Sequence, residues 1–263
     1  MLLGRALGRF SALVLLLAAA AASDAQAIVV APLTASGTYV RPPGPPSFQI
    51  GSGGFVEELD AFVLPAGAAA ATRLSSSPAP AGLALSFSTS LSADTTDLLL
   101  AYEFTNTSAL PLASLTFLSY FDAEIDETLN TFFNEYATTT GALAAGQNYE
   151  IDEPGFTFGD IFSNAQAGVL DGTNAVPIDA PEDVSMALSF AIGLLNPGQT
   201  ARFEILLSED GDALGGFAIR QHDVDPRSST VITYSGAASI VPEPGTALLL
   251  GAGLALVAAR RNR

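Results

Sequence analysis

The chain has 263 residues, 27 of them acidic and 10 basic, for a formal charge of −17 at neutral pH, and every basic residue is arginine. A net acidic chain without clustered cations repels a phosphate backbone, so no nucleic-acid partner is expected. Cysteine is absent, which removes disulfides, thiolate metal sites and a cysteine nucleophile and leaves the fold to its own apolar core.

Residues 1–27 read as a secretory signal peptide. Arg5 and Arg9 precede an apolar run over residues 10–22 broken only by Ser11, and the stretch ends Ala25-Gln26-Ala27. Small side chains at Ala25 and Ala27 are what the signal peptidase pocket admits, so cleavage is expected after Ala27. The apolar run is shorter than the roughly 20 residues that a permanent spanning helix needs.

Residues 28–240 form the body, and residues 28–54 are its Pro/Gly-rich lead-in. Arg41-Pro42-Pro43-Gly44-Pro45-Pro46 predicts a stiff extended spacer. Short strands are expected over residues 48–50 and 58–64. Leu83, Leu85 and Phe87, and then Leu98, Leu100, Tyr102 and Phe104, alternate with other residues at the period of a strand. Leu115, Phe117, Ser119 and Phe121 share one face of a further strand, and the turn-rich residues 106–111 should make it a hairpin partner or near neighbour of the strand before.

Residues 125–136 carry mixed signals, with apolar spacing through Leu129, Phe132 and Phe133 but indifferent helix formers between. Residues 148–151 return to strand. The clearest pair follows: Val184, Met186, Leu188, Phe190 and Ile192 alternate, Asn196-Pro197-Gly198-Gln199 turns the chain, and Phe203, Ile205 and Leu207 take the buried side of the next strand. Residues 217–220 and 231–234 complete the set. Many short strands with polar turns predict an all-β fold, a mostly antiparallel β-sandwich flanked by a cleavable signal helix and a C-terminal hydrophobic helix.

The densest polar cluster is Asp122-Ala123-Glu124-Ile125-Asp126-Glu127. Carboxylates at every second position of a strand point one way, so Asp122, Glu124 and Asp126 are candidate ligands of calcium, a hard cation that takes six to eight oxygens. The alternative is a solvated acidic edge that discourages sheet-to-sheet pairing. Glu209-Asp210-Gly211-Asp212 has the composition of a turn, and His222, the single histidine, sits among loop acids. The sequence shows no Gly-x-Ser-x-Gly elbow, phosphate loop or paired-histidine motif, so an enzyme is not expected. A glycoside hydrolase would need carboxylates of raised pKa in a pocket, which spacing does not show.

The chain finishes Val241-Pro242-Glu243-Pro244-Gly245-Thr246, then apolar residues 247–259, then Arg260-Arg261-Asn262-Arg263. The prolines deny the backbone a helix and keep it extended. The apolar stretch covers roughly 20 Å as a helix, thin for a hydrocarbon core of about 30 Å. Arg260, Arg261 and Arg263 hold its end in the cytoplasm.

These three elements in this order resemble the PEP-CTERM sorting signal, over residues 241–263. The resemblance implies that an exosortase, a membrane cysteine protease or transpeptidase, recognises Pro242, Glu243 and Pro244, cuts nearby and releases or transfers the body. It also implies a Gram-negative envelope and an exopolysaccharide matrix. The run from Tyr102 and Phe104-Thr105-Asn106 to Tyr120-Phe121-Asp122 is loosely similar to the body of other PEP-CTERM proteins.

The expected protein is therefore an exported cell-surface or matrix protein with a structural or exopolysaccharide-associated role. The alternative is a calcium-dependent carbohydrate-binding module. The expected partners are signal peptidase, exosortase, the inner membrane in transit and exopolysaccharide, and calcium is the one candidate cofactor.

Overall fold

The computed structural model describes residues 28–51, 54–126, 132–155 and 157–242. The predicted signal helix and C-terminal apolar helix lie outside the described residues, and among those described no helix is long and apolar enough to cross a membrane. In chain order the elements are β1 (Tyr39–Val40), β2 (Gln49–Ile50), β3 (Gly54–Pro65), β4 (Thr72–Arg73), β5 (Leu83–Leu91), β6 (Asp97–Asn106), β7 (Leu115–Glu124), a 3-10 turn (Phe132–Asn134), β8 (Glu135–Gly141), β9 (Gln147–Asp152), α1 (Ile161–Ala167), β10 (Ser185–Ile192), β11 (Thr200–Ser208), β12 (Phe217–Asp223) and β13 (Val231–Val241).

The strands form two antiparallel sheets packed face to face, as the alternation predicts. One runs β1-β3-β7-β10-β9, with β2 and β4 also paired to β3; the other runs β5-β6-β11-β13-β12-β8. The side chains singled out by period-two spacing meet between them. Phe117 of β7 lies 4.8 Å from Tyr102 of β6 and 4.9 Å from Phe203 of β11, ring centre to ring centre. Gly236 of β13 is bare for a reason: a Cβ there would stand 2.8 Å from the Phe190 ring.

The strands on either side of residues 106–111 are near neighbours across the core but form no hairpin, and the pair joined by residues 196–199 is likewise not hydrogen-bonded together. β6 and β7 lie in different sheets, as do β10 and β11, so residues 106–111 and 196–199 arch across the core instead of turning within a sheet. Each of these strands presents a continuous apolar face, and the pairs bury those faces against each other. Alternation in a sequence reports which face is buried, not which neighbour is hydrogen-bonded. Asn106 fastens the two arches: its Nδ2 donates to the carbonyls of Leu110 and Leu195 at 3.0 and 2.9 Å, and its Oδ1 accepts from the Ser108 hydroxyl at 2.7 Å.

The strand expected over residues 48–50 is present as β2, and Ile28, Tyr39, Phe48 and Ile50 of the Pro/Gly-rich lead-in are buried in the core, so this stretch is part of the sandwich. Two further features escaped periodicity. What is described of residues 125–136 is a 3-10 turn leading into β8, not an α-helix. Among the described residues an α-helix lies at Ile161–Ala167, too short to show a 3.6-residue period. Gly168 closes it at φ +80°, and it holds by burying Ile161 and Ala165 against Phe62, Leu118, Tyr120 and Ala187 on the outer face of the seven-stranded sheet. That sheet is therefore covered on both faces over part of its area, which explains why β3, β7 and β10 are buried almost continuously.

Candidate functional site

Below the patch covered by α1, the same outer face turns acidic. Register places Glu58 of β3, Asp122 of β7, Ser185 of β10 and Asp152 of β9 in one row across the sheet, and Asp60, Tyr120, Ala187 and Glu150 in the next. Residues paired across antiparallel strands share a face, so carboxylates distant in sequence converge there. Glu58 and Asp60 share one cation, Arg73 of β4, whose Nε donates to Asp60 and whose terminal nitrogen donates to Glu58. Asp60 also accepts from the Ser75 hydroxyl at 2.6 Å, and the guanidinium lies 4.8 Å from the centre of the Phe162 ring. Burial raises Glu58 to about 7, with Arg73 opposing and Asp60 adding to the rise.

Two residues along β7, Asp122 and Glu124 are 2% and 7% exposed. One oxygen of each lies within 4.8 Å of the other and of an oxygen of half-buried Asp183. Continuing the β7–β10 register by two residues beyond the Ser185–Asp122 pair sets Asp183 opposite Glu124. Burial first, and then the Asp183 charge, holds the Asp122 carboxyl well above the ordinary carboxylate range, with the Ser185 hydroxyl opposing. Oδ1 of Asp122 is buried and has no hydrogen-bond partner.

Asp126, the third predicted ligand, is engaged elsewhere: it sits at φ +54° and accepts hydrogen bonds from Ser228 and Thr230. The structure thus brings Asp122 and Glu124 together as the alternation predicts and supplies Asp183 as the third carboxylate. Nothing local in the sequence marks Asp183; only the pairing of β10 with β7 brings it there. Glu135 is buried close by, accepting from the Ile125 backbone N–H at 2.8 Å and from Gln221. Burial and the Glu124 charge raise its pKa well above the ordinary range.

Two other acidic groups are supported by protein donors. Asp210 accepts from Ser208 at 2.8 Å and from Thr96 at 3.2 Å beside Asp97 and Asp212, and the loop around it turns as its composition predicts. Glu150, beside Asp160 and Asp171, accepts from Asn164 and from the Asp171 backbone N–H, each at 2.9 Å. His222 packs its ring on Tyr136 at 4.8 Å between centres, and burial pushes its pKa below the ordinary histidine value.

At the C-terminal end, β13 starts between β12 and β11, but its residues 236–241 pair with β11 alone. The strand ends at Val241 and exposed Pro242 follows. The remaining candidates Glu243, Pro244, Arg260, Arg261 and Arg263, and Ala25 and Ala27 at the other end, lie outside the described residues.

Fold and tail together define a β-sandwich whose last strand runs straight into a C-terminal sorting segment. Residues 241–263 match the family model of the PEP-CTERM protein-sorting motif. A comparison with curated proteins finds no match. The motif marks an extracellular protein sorted by exosortase, with export across the membrane to the cell surface.

Proposed function

We propose that this chain is a structural component of the cell surface or its exopolysaccharide matrix, with the sandwich as the displayed part and both ends as addresses. Residues 1–27 direct export and are removed by signal peptidase after Ala27. Pro242, Glu243 and Pro244 are then read by exosortase while residues 247–259 hold the chain in the inner membrane and Arg260, Arg261 and Arg263 stay in the cytoplasm. The body has no catalytic role in this reading: its one histidine is used for packing on Tyr136, and its acidic groups lie on a sheet face and in turns.

The observation that carries the reading is the position of the junction. The last strand ends at Val241 and Pro242 is exposed, so the segment offered to a protease begins where backbone pairing stops, and cutting beyond it leaves all of β13 in place. The intact mass of the protein recovered from the cell surface tests this. We expect a species lacking residues 1–27 and the apolar tail, and in cells without exosortase a longer species retained in the inner membrane. Surface protein that keeps residues 247–263 would refute the processing. Failure to co-sediment with the cells' own exopolysaccharide would refute the matrix role while leaving the processing intact.

A further inference from the structure

Among the described residues, Asp122 is a buried carboxylate with one oxygen left unsatisfied. It is 2% exposed, its Oδ1 has no hydrogen-bond partner, and the charges that weigh most on it, those of Asp183, Glu58 and Glu57, are all carboxylates. A buried ionised group normally has a counter-charge or is satisfied by donors. Asp60, in the next row of the same face, shows the usual solution, with Arg73, Ser75 and the Ala61 backbone N–H around it. Asp122 has the Ser185 hydroxyl but otherwise faces Glu124 and Asp183, one oxygen from each of the three lying within 4.8 Å of the others.

We propose that Asp122, Glu124 and Asp183 form a divalent-cation site, with calcium as the ion. The donors are all carboxylate oxygens, the chemistry that selects calcium, magnesium or manganese over softer metals. Calcium–oxygen distances of about 2.3–2.6 Å allow one ion to touch oxygens up to about 5 Å apart, which the spacing here meets. Asp122 and Glu124 are presented rigidly, two residues apart on one face of β7, while Asp183 lies at the entry to β10 and is half-exposed. The ion therefore enters from the Asp183 side, where water completes its coordination. Bound there, it ties the start of β10 to the end of β7 and replaces carboxylate repulsion with attraction. The site does not depend on the sorting reading: a chain that was never processed would still hold it.

The test uses the full chain, stripped with EDTA and then melted with and without calcium chloride at about 5 mM, a concentration suited to the weak sites of extracellular modules. Binding to the folded state alone should raise Tm by about 2–9 °C, and equilibrium dialysis should find calcium bound. Asp183→Asn and Asp122→Asn should each abolish the rise. In EDTA each should melt no lower than the unsubstituted chain, because a repelling charge has gone. Should Asp122→Asn fail to fold, half-exposed Asp183 still decides the matter. No calcium-dependent rise in the unsubstituted chain would overturn the proposal. So would a full response retained in Asp183→Asn, which would place the ion at Asp210 or Glu150 and their neighbours. An equal response to magnesium would overturn the choice of calcium.

Discussion

Arg73 is the side chain on which the acidic face depends most, and replacing it with alanine should cost about 3–5 kcal/mol, the usual penalty for breaking a buried ion pair from one side. The Asp60 side chain is fully buried and that of Glu58 is 7% exposed, so neither can recover solvation by a small movement. After the substitution Asp60 keeps the Ser75 hydroxyl and the Ala61 N–H, while Glu58 loses the one cation that opposes its burial. The lost contact with the Phe162 ring adds about 0.5–1 kcal/mol.

The penalty must depend on pH, and its sign follows from Glu58. Its pKa in the folded chain is about 7, above the ordinary 4.5, and removing Arg73 raises it further. As pH climbs from 4.5 through the folded value, the unfolded chain has released this proton while the folded chain still holds it, so stability falls across that window. The alanine variant should therefore lose more at pH 8 than at pH 5. Urea unfolding in EDTA at both pH values, with m compared to confirm that the denatured state is unchanged, measures the effect. A loss under about 1 kcal/mol at pH 8, or an equal loss at the two pH values, would refute the reasoning.

Truncating Phe117 to alanine removes the ring that bridges Tyr102 and Phe203 at a site with no exposure and should cost about 3–5 kcal/mol by the same unfolding assay. Glu209 accepts the Gly51 backbone N–H at 2.7 Å and is raised by burial to about 7, with that hydrogen bond opposing and Asp210 adding. Glu209→Gln keeps the acceptor and drops the charge, so the variant should match the parent near pH 4 and be the more stable at pH 8, as thermal melts across that range will show.

The architecture was legible because a sandwich needs alternating strands, and Met186, Leu188, Phe190, Phe203, Ile205 and Leu207 all face the core as their spacing requires. Partner choice was not legible. Both arches, after Asn106 and after Asn196, have the polar composition of hairpin turns, and what sends their strands to opposite sheets is the three-dimensional match of apolar faces such as those of Tyr102 and Phe117. In the lead-in the strand at residues 48–50 was legible, but the packing of Tyr39 on Phe48, 5.5 Å apart edge to face, was not, because the prolines between them dominate the local pattern.

The candidate site divides along the same line. Asp122 and Glu124 could be grouped from sequence because a strand places residues i and i+2 on one face, and the structure keeps them there. Asp126 could not be separated from them by that rule, since the rule holds only while the strand continues. β7 ends at Glu124, and the positive φ of Asp126 turns its carboxylate to Ser228 and Thr230. Asp183 enters through sheet pairing, a relation between segments that carries no local signature. The tail differs because its signal is linear: the sorting motif is matched by the order of residues 241–263 along the chain, which needs no pairing between segments to be seen, and the last strand ends where that match begins, at Val241.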